Sequence, residues 1–373
     1  MSVYFVLFTV VLKTKYLLGI ILNMEKEAFL YKRIGSGKVV CSACARRCVI
    51  PEGSHGFCFV RQNRSGRLIL ANYALLSSMQ LDPIEKKPFN HFMPGTAAFS
   101  IGTVSCSWGC RFCQNHNISK EREISGVELS PEAAVKMALE SGAGSIAYTY
   151  NEPSIFIEYA LDVARLAHKA GLRNLFVTNG YLTEEGISAM KGLVDAAVVN
   201  FKGNGDEKFA HAFEAVTSNE PVKSSILAMK SAGIHVELTD LIIPRVGDSI
   251  EACEVLVRWV HDEAGADTPI HFTRFHPDYK MLDYPSTSFE TLKRHLDAAK
   301  RAGLSFVYIG NVPGNPYEST YCPKCGDLAI GRDGFGITEW RLDMRMRCKA
   351  CGYALPVKGA APDMRRRNII SIY

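Results

Sequence analysis

Eleven of the twelve cysteines in this 373-residue chain fall into three tight groups, and the groups differ in spacing. Cys106, Cys110 and Cys113, in SCSWGCRFCQN, place three thiols within eight residues, with no further cysteine until Cys253. Three ligands leave a metal site incomplete. An iron–sulfur cluster bound by three cysteines keeps one iron open for an exogenous ligand, and an open position marks catalytic rather than structural sites. Phe112 precedes the third thiol and is placed to shield such a cluster from water. Cys41, Cys44, Cys48 and Cys58, in CSACARRCVIPEGSHGFC, supply four thiolates, which suit zinc or an iron–sulfur cluster. Cys322, Cys325, Cys348 and Cys351 form two CxxCG knuckles separated by 22 residues, the spacing of a closed zinc-ribbon site, for zinc or iron. Cys253, in EACEVLVRW, is expected as a small core residue of a helix.

Short apolar runs alternate with helical patterns from about residue 97 onward, which predicts βαβ units and a parallel sheet. The expected strands are 97–103, 145–149, 174–178, 196–200, 235–243, 270–275 and 305–309. Helices are expected at Pro131–Ser141, Ser154–Ala170, Thr183–Gly192, Pro221–Ala232, Ile250–Glu263 and Ser288–Ala302, with Ser130 and Ser154 as first-turn caps and Gly171, Gly233 and Gly303 beyond helix ends. The polar loops then share one rim: the three-cysteine loop follows the first strand, TYNEP the second, TNG the third, NFKG the fourth, IIPRVGD the fifth and HPDY the sixth. Loops at the carboxyl ends of parallel strands converge on one mouth, where catalytic groups gather. Arg274 and His276 are candidates for carboxylate or substrate contact there, since a guanidinium grips a carboxylate in bidentate fashion. DPIEKKPFNHFMPG (82–95) is read as a cover for the mouth or a solvated connector.

At 47% hydrophobic residues the chain can bury a large core without disulfide staples, so its thiols have other work. Lys plus Arg exceed Asp plus Glu by only 43 to 38, and part of the excess is Arg365-Arg366-Arg367, so no nucleic-acid face is implied. Residues 3–22 have the length of a membrane span, but Lys13 and Lys15 at its middle argue against a stable one. The same stretch has no basic region ahead of it and no small-residue cleavage site behind it, so it does not read as a secretory signal, and export would oxidise the thiols, so the expected compartment is the cytoplasm. The expected organisation is an apolar extension (1–23) upstream of a functional start near Met24, a Cys-rich module and connector (24–95), an α/β barrel (96–316), a ribbon (317–357) and a basic tail (358–373).

CSWGCRFC carries the CxxxCxxC motif of the radical S-adenosylmethionine superfamily. With CARRCVIPEGSHGFCFVRQN, DPIEKKPFNHFMPG, YTYNEPSIFIEYA, VTNGYLTEEG, HFTRFHPDYKM, GNVPGN and CPKCG, the chain resembles the radical enzyme of the AmmeMemoRadiSam group, a relative of pyruvate formate-lyase activating enzymes. The resemblance implies a partial (β/α)6-type TIM barrel flanked by an N-terminal Cys-rich module and a C-terminal zinc-ribbon-like module. It implies a 4Fe-4S cluster on Cys106, Cys110 and Cys113, and S-adenosylmethionine cleaved by one electron to a 5′-deoxyadenosyl radical that takes a substrate hydrogen. Tyr150, Asn151 and Glu152 stand where related enzymes hold the methionine amine with a glycine-rich GGE loop. Thr178 and Asn179 would reach the ribose or carboxylate, Gly180 would allow close backbone approach, and Ile242 and Ile243 would flank the adenine. The resembled group reads aspartate-leucine-lysine-glycine where this chain has Asn200-Phe201-Lys202-Gly203, so a carboxylate is lost and the lysine kept. Implied partners are an electron donor and Memo-like and AMMECR1-like proteins, for a C–H or C–C step on a small molecule. The alternatives are an activase acting on a protein glycine and, from another class, a zinc-stapled binding module.

Overall fold

A computed structural model describes residues 25–362; the expected extension at 1–23 with its start near Met24, and residues 363–373 of the tail, lie outside the described residues. Eight strands form one sheet: β1 (Ser78–Pro83), β2 (Ala97–Gly102), β3 (Ser145–Tyr148), β4 (Arg173–Thr178), β5 (Ala196–Lys202), β6 (His235–Ile242), β7 (Ile270–Arg274) and β8 (Val307–Gly310), in that spatial order. From β2 onward every neighbour is parallel, and β1 alone runs antiparallel, pairing Pro83 with Ala97 and Ser78 with Gly102. Six helices make the crossovers: α1 (Pro131–Glu140), α2 (Ile157–Lys169), α3 (Glu184–Met190), α4 (Glu220–Ser231), α5 (Ile250–Trp259) and α6 (Phe289–Arg301). All seven expected strands and all six expected helices are present. The strands are apolar on both faces because both are covered, as parallel sheets require.

Helix starts follow side-chain capping. Ser130, Thr183, Ser249 and Ser288 accept the amides of Ala133, Gly186, Ala252 and Thr291. Ser154 does not cap its helix. Glu152 does, taking the Ser154 amide at 3.1 Å and opening a 3-10 turn (Pro153–Phe156) ahead of α2, because a longer carboxylate reaches over the intervening proline. Gly171, Gly233 and Gly303 lie at positive φ past their helices, as expected.

Residues 84–95 close the opposite end of the sheet from the polar loops, rather than covering the mouth or running through solvent. Since β1 is antiparallel, the chain leaves it at the amino ends of the parallel strands. There Ile84, Phe89 and Phe92 pack on Ala98, Ala147, Leu175, Ala196 and Val198, small and medium side chains that leave room for them. Glu237 on β6 accepts the amides of Asn90 and His91 at 3.0 and 2.8 Å and the ring nitrogens of His235 and His271 at 3.2 and 3.1 Å.

The C-terminal residues form a three-stranded antiparallel sheet (Thr320–Tyr321, Leu328–Asp333, Gly336–Trp340) whose core includes Phe306 and Tyr308. Arg332 ties it to the base, donating to the Asn90 carbonyl at 2.8 Å and Thr320 Oγ1 at 2.7 Å. The N-terminal residues form two small sheets at the other end of the molecule, one of which contains Cys41 (Tyr31–Arg33, Val39–Cys41, Val49–Ile50). Among the described residues no helix is long and apolar enough to cross a membrane.

Candidate active site

The three-cysteine loop leaves β2 through Gly102, where an added Cβ would lie 2.6 Å from the Thr149 carbonyl and 3.1 Å from the Tyr150 ring, so only glycine lets the two loops approach. Backbone bonds then brace the loop from two sides: Ser105 N to Ile118 O, and Gly109 N to Glu214 O with Arg111 N to Phe213 O, each 2.8 Å. The amide of Trp108 donates to Cys106 Sγ at 3.5 Å, and Cys113 Sγ lies 3.0 Å from Ser119 Oγ. Cys110 and Phe112 are buried, and Phe112 stacks on Phe209 at 5.8 Å, so it forms an apolar wall behind the third thiol.

The expected contact residues do varied work. Asn151 is a brace: its Nδ2 donates to Thr103 Oγ1 at 2.9 Å and Ser105 O at 2.8 Å, clamping the β3 loop to the cysteine loop. Glu152 is buried, and both its oxygens are engaged, by Ser154 N, Thr178 Oγ1 (2.8 Å) and Asn179 N (2.8 Å). Burial pushes its carboxyl above the usual range, and those donors pull it back. Asn179 Nδ2 reaches Ser107 Oγ at 3.1 Å, drawing the β4 loop to the cysteines. Tyr150, at φ +71°, sends its hydroxyl to Asp82 Oδ2 on β1 at 2.7 Å, with Lys87 over its ring, and its carbonyl accepts from Asn115. Gly180 is required for a different reason than ligand approach: at φ +74° a Cβ would meet Val199 at 2.6 Å and Val222 at 2.9 Å. Ile242 and Ile243 are fully buried at the end of β6, where the Ile242 carbonyl accepts from Thr287. Arg274 and His276 are exposed, and the Arg274 guanidinium has no partner among the described residues. Their loop also touches the site, through Lys280 N to Arg111 O at 2.9 Å and Tyr279 stacked on His116 at 4.9 Å.

Sequence patterning missed two acids. Glu214, in the connection from β5 to α4, and Asp240, toward the carboxyl end of β6, are buried, and each has an oxygen without a hydrogen-bond partner. Burial pushes their carboxyls up to about 8 and about 7, with Lys202 opposing both shifts. Lys202 also lies over Trp108 at 5.5 Å, and the buried Trp108 indole nitrogen lacks a partner too. A lone Glu in AHAFEAV and an Asp inside an apolar strand carry no motif; the Asp within HVELTDLII was the available signal.

These features fit a cationic-ligand-assisted thiolate site. Burial pushes Cys106 up to about 11 and Cys110 well above the ordinary thiol range, with Glu214 adding to the latter, while Lys120 and Lys202 favour the thiolate. Two orphaned buried polar atoms belong to the loop or to a residue bonded to it, the Trp108 indole nitrogen and an oxygen of Glu214, as expected where a polar group belongs. Three sulfurs, cationic neighbours and an apolar wall suit a cluster with one open iron.

The two four-cysteine sets differ in geometry. A single ion about 2.3 Å from each thiolate holds tetrahedral sulfurs about 3.8 Å apart. Cys322 and Cys351 lie at 3.5 Å, Cys325 and Cys348 at 3.8 Å, and all four sulfurs fall within 4.8 Å of one another. Cys253 is buried on α5, as expected of a core residue.

Residues 100–260 match the radical SAM superfamily model. The chain is 41% identical over 337 residues to an uncharacterized protein of Methanocaldococcus jannaschii, covering 89% of this chain and 99% of that one. A second uncharacterized protein of that organism is 21% identical over 281 residues, covering 72% of this chain and 76% of the other. Among solved structures, a radical SAM methyltransferase from Sphaerobacter thermophilus superposes with a TM-score of 0.45 at 16% identity, covering 57% of this chain and 67% of that one. A domain of a pyruvate-formate lyase-activating enzyme from Bacteroides vulgatus gives 0.40 at 15%, covering 45% and 100%.

Proposed function

We propose, from the premise that this chain belongs to one family with the 41% identical archaeal protein and carries a radical SAM superfamily domain, that it is an enzyme that cleaves S-adenosylmethionine reductively. The observation that carries this is the braced three-cysteine loop at the carboxyl end of β2, with orphaned polar atoms on Trp108 within it and on Glu214, whose carbonyl is bonded to it. When bound there, a 4Fe-4S cluster with an open iron supplies the electron that splits S-adenosylmethionine into methionine and a 5′-deoxyadenosyl radical.

The chain's own residues do the positioning. Cys106, Cys110 and Cys113 are the ligands, and Asn151 fixes the loop that carries them. Glu152 locks Thr178 and Asn179 in place, so the polar edge of β4 is preorganised rather than assembled on binding. Lys120 and Lys202 offset the negative charge of thiolates, and Glu214 and Asp240 are buried acids able to hold a proton near neutral pH. Arg274 offers an unengaged guanidinium to a carboxylate at the rim.

At finer grain we assign the chain to the AmmeMemoRadiSam group, with the six βα units and β8 forming a partial barrel and the terminal set a zinc ribbon holding one zinc or iron ion. The sulfur separations of the terminal set support a single ion. Memo-like and AMMECR1-like partners, a small-molecule C–H or C–C step and a cytoplasmic setting follow from that assignment and rest on the sequence strings. The test is anaerobic. Wild-type protein reconstituted with iron and sulfide and reduced should release 5′-deoxyadenosine and methionine, and Cys110→Ala should release neither; equal yield from the variant would defeat the proposal.

A further inference from the structure

Cys41, Cys44, Cys48 and Cys58 line one pocket, together with Arg46, Phe57, Arg61, Ser107 and Ile155. Four sulfurs sharing a cavity invite comparison with the terminal set. Among the described residues, the terminal four sulfurs close to within 4.8 Å of one another, whereas no three of the N-terminal sulfurs do. One ion cannot satisfy thiolates spread that far apart, because each metal–sulfur bond is about 2.3 Å. A polynuclear cluster can, since each thiolate binds a different iron.

The cavity wall carries a second sign of a missing occupant. Arg61 is buried at 2% exposure and uses only Nη2, which donates to Glu158 Oε2 at 2.5 Å. Its Nε and Nη1 have no hydrogen-bond partner, though the side chain lines the cavity. Leaving two guanidinium N–H groups unpaired in the interior is costly, and a thiolate-ligated cluster offers them acceptors and negative charge. The backbone amides of Ala43, Arg46 and Arg61 also face the sulfurs of Cys41, Cys44 and Cys58. The sequence left zinc and an iron–sulfur cluster open for these four residues, and the spacing and the orphaned guanidinium separate them.

We propose that Cys41, Cys44, Cys48 and Cys58 bind a second iron–sulfur cluster of the four-iron type, with every iron thiolate-ligated and Arg61 donating to it from the cavity wall. Its seat adjoins the catalytic loop. Ser107, the neighbour of Cys106, forms part of the cavity, and Arg46 reaches from the module to the carbonyls of Ser107 and Ala215.

The experiment is reconstitution of the full chain carrying Cys106→Ala, Cys110→Ala and Cys113→Ala, followed by iron, zinc and acid-labile sulfide analysis and electron paramagnetic resonance after reduction. The expected result is about four irons and four sulfides per chain, beyond the ion of the terminal set, with a cluster signal indifferent to S-adenosylmethionine. Adding Cys48→Ser should remove the sulfide. Labile sulfide absent from the triple variant, or one extra zinc in its place, would overturn the proposal while leaving the three-cysteine assignment intact. Should the triple variant fail to fold, wild type against Cys48→Ser reads the same quantity: iron per chain should fall by about half, and unchanged iron and sulfide would overturn it.

Discussion

Asn151 shows how a residue expected at a ligand also has a structural task. Its string pointed to the methionine amine, whereas its amide spans Thr103 and Ser105 and so fixes where the first thiol can sit. Asn151→Ala removes four hydrogen bonds across the loops, an effect on the order of 1–3 kcal/mol on local order. The expected outcome is lower cluster occupancy, read as iron per chain, together with lower 5′-deoxyadenosine yield; full occupancy with lost turnover would instead make it a ligand contact. The cysteines themselves were legible because thiol spacing is a local code. Glu214 was not, because its meaning lies in burial without a partner, which no string records, and Asp240 left only the trace of one acid in an apolar strand.

At the scale of elements, seven strands and six crossovers were legible because periodicity and capping are local. The antiparallel β1 was not, since SMQLDP follows a Cys-rich stretch and its partner is chosen by the sheet. The same strand direction sends residues 84–95 to the base of the sheet, where Glu85 is buried. It accepts the Gly95 amide at 2.7 Å through Oε1, and its other oxygen lacks a hydrogen-bond partner. Burial raises its carboxyl from 4.5 to about 7, with Glu237 adding to that and Arg332 opposing it. Between those values the folded state holds more protons than the unfolded chain, so ionisation costs stability as pH rises through the window and the loss is complete above it. Glu85→Gln keeps the acceptor and removes the titration. Its thermal midpoint should fall less than wild type's between pH 5 and pH 8, a difference on the order of 2 kcal/mol in stability; parallel pH profiles would contradict this.

For the whole molecule, the two complete cysteine sets sit at opposite ends. The N-terminal set adjoins the three-cysteine loop through Ser107 and docks on the start of α3, with Arg47 bound to Glu185 in bidentate fashion at 2.9 and 2.8 Å and the Thr183 hydroxyl donating to the Ser42 carbonyl. The terminal four-cysteine sheet packs on Phe306 and Tyr308 at the base. Sequence spacing named both sets but could not place them, because docking depends on contacts far apart in the chain. Their positions predict separable consequences. Cys322→Ser should lower the thermal midpoint and release the terminal metal, while cleavage of S-adenosylmethionine at permissive temperature stays within about threefold of wild type, a change under 1 kcal/mol. The most direct measurement of the central claim is electron paramagnetic resonance of the reduced wild-type protein with and without S-adenosylmethionine. An open iron predicts a signal that shifts on addition and that is missing from Cys110→Ala; a wild-type spectrum unmoved by S-adenosylmethionine would contradict it.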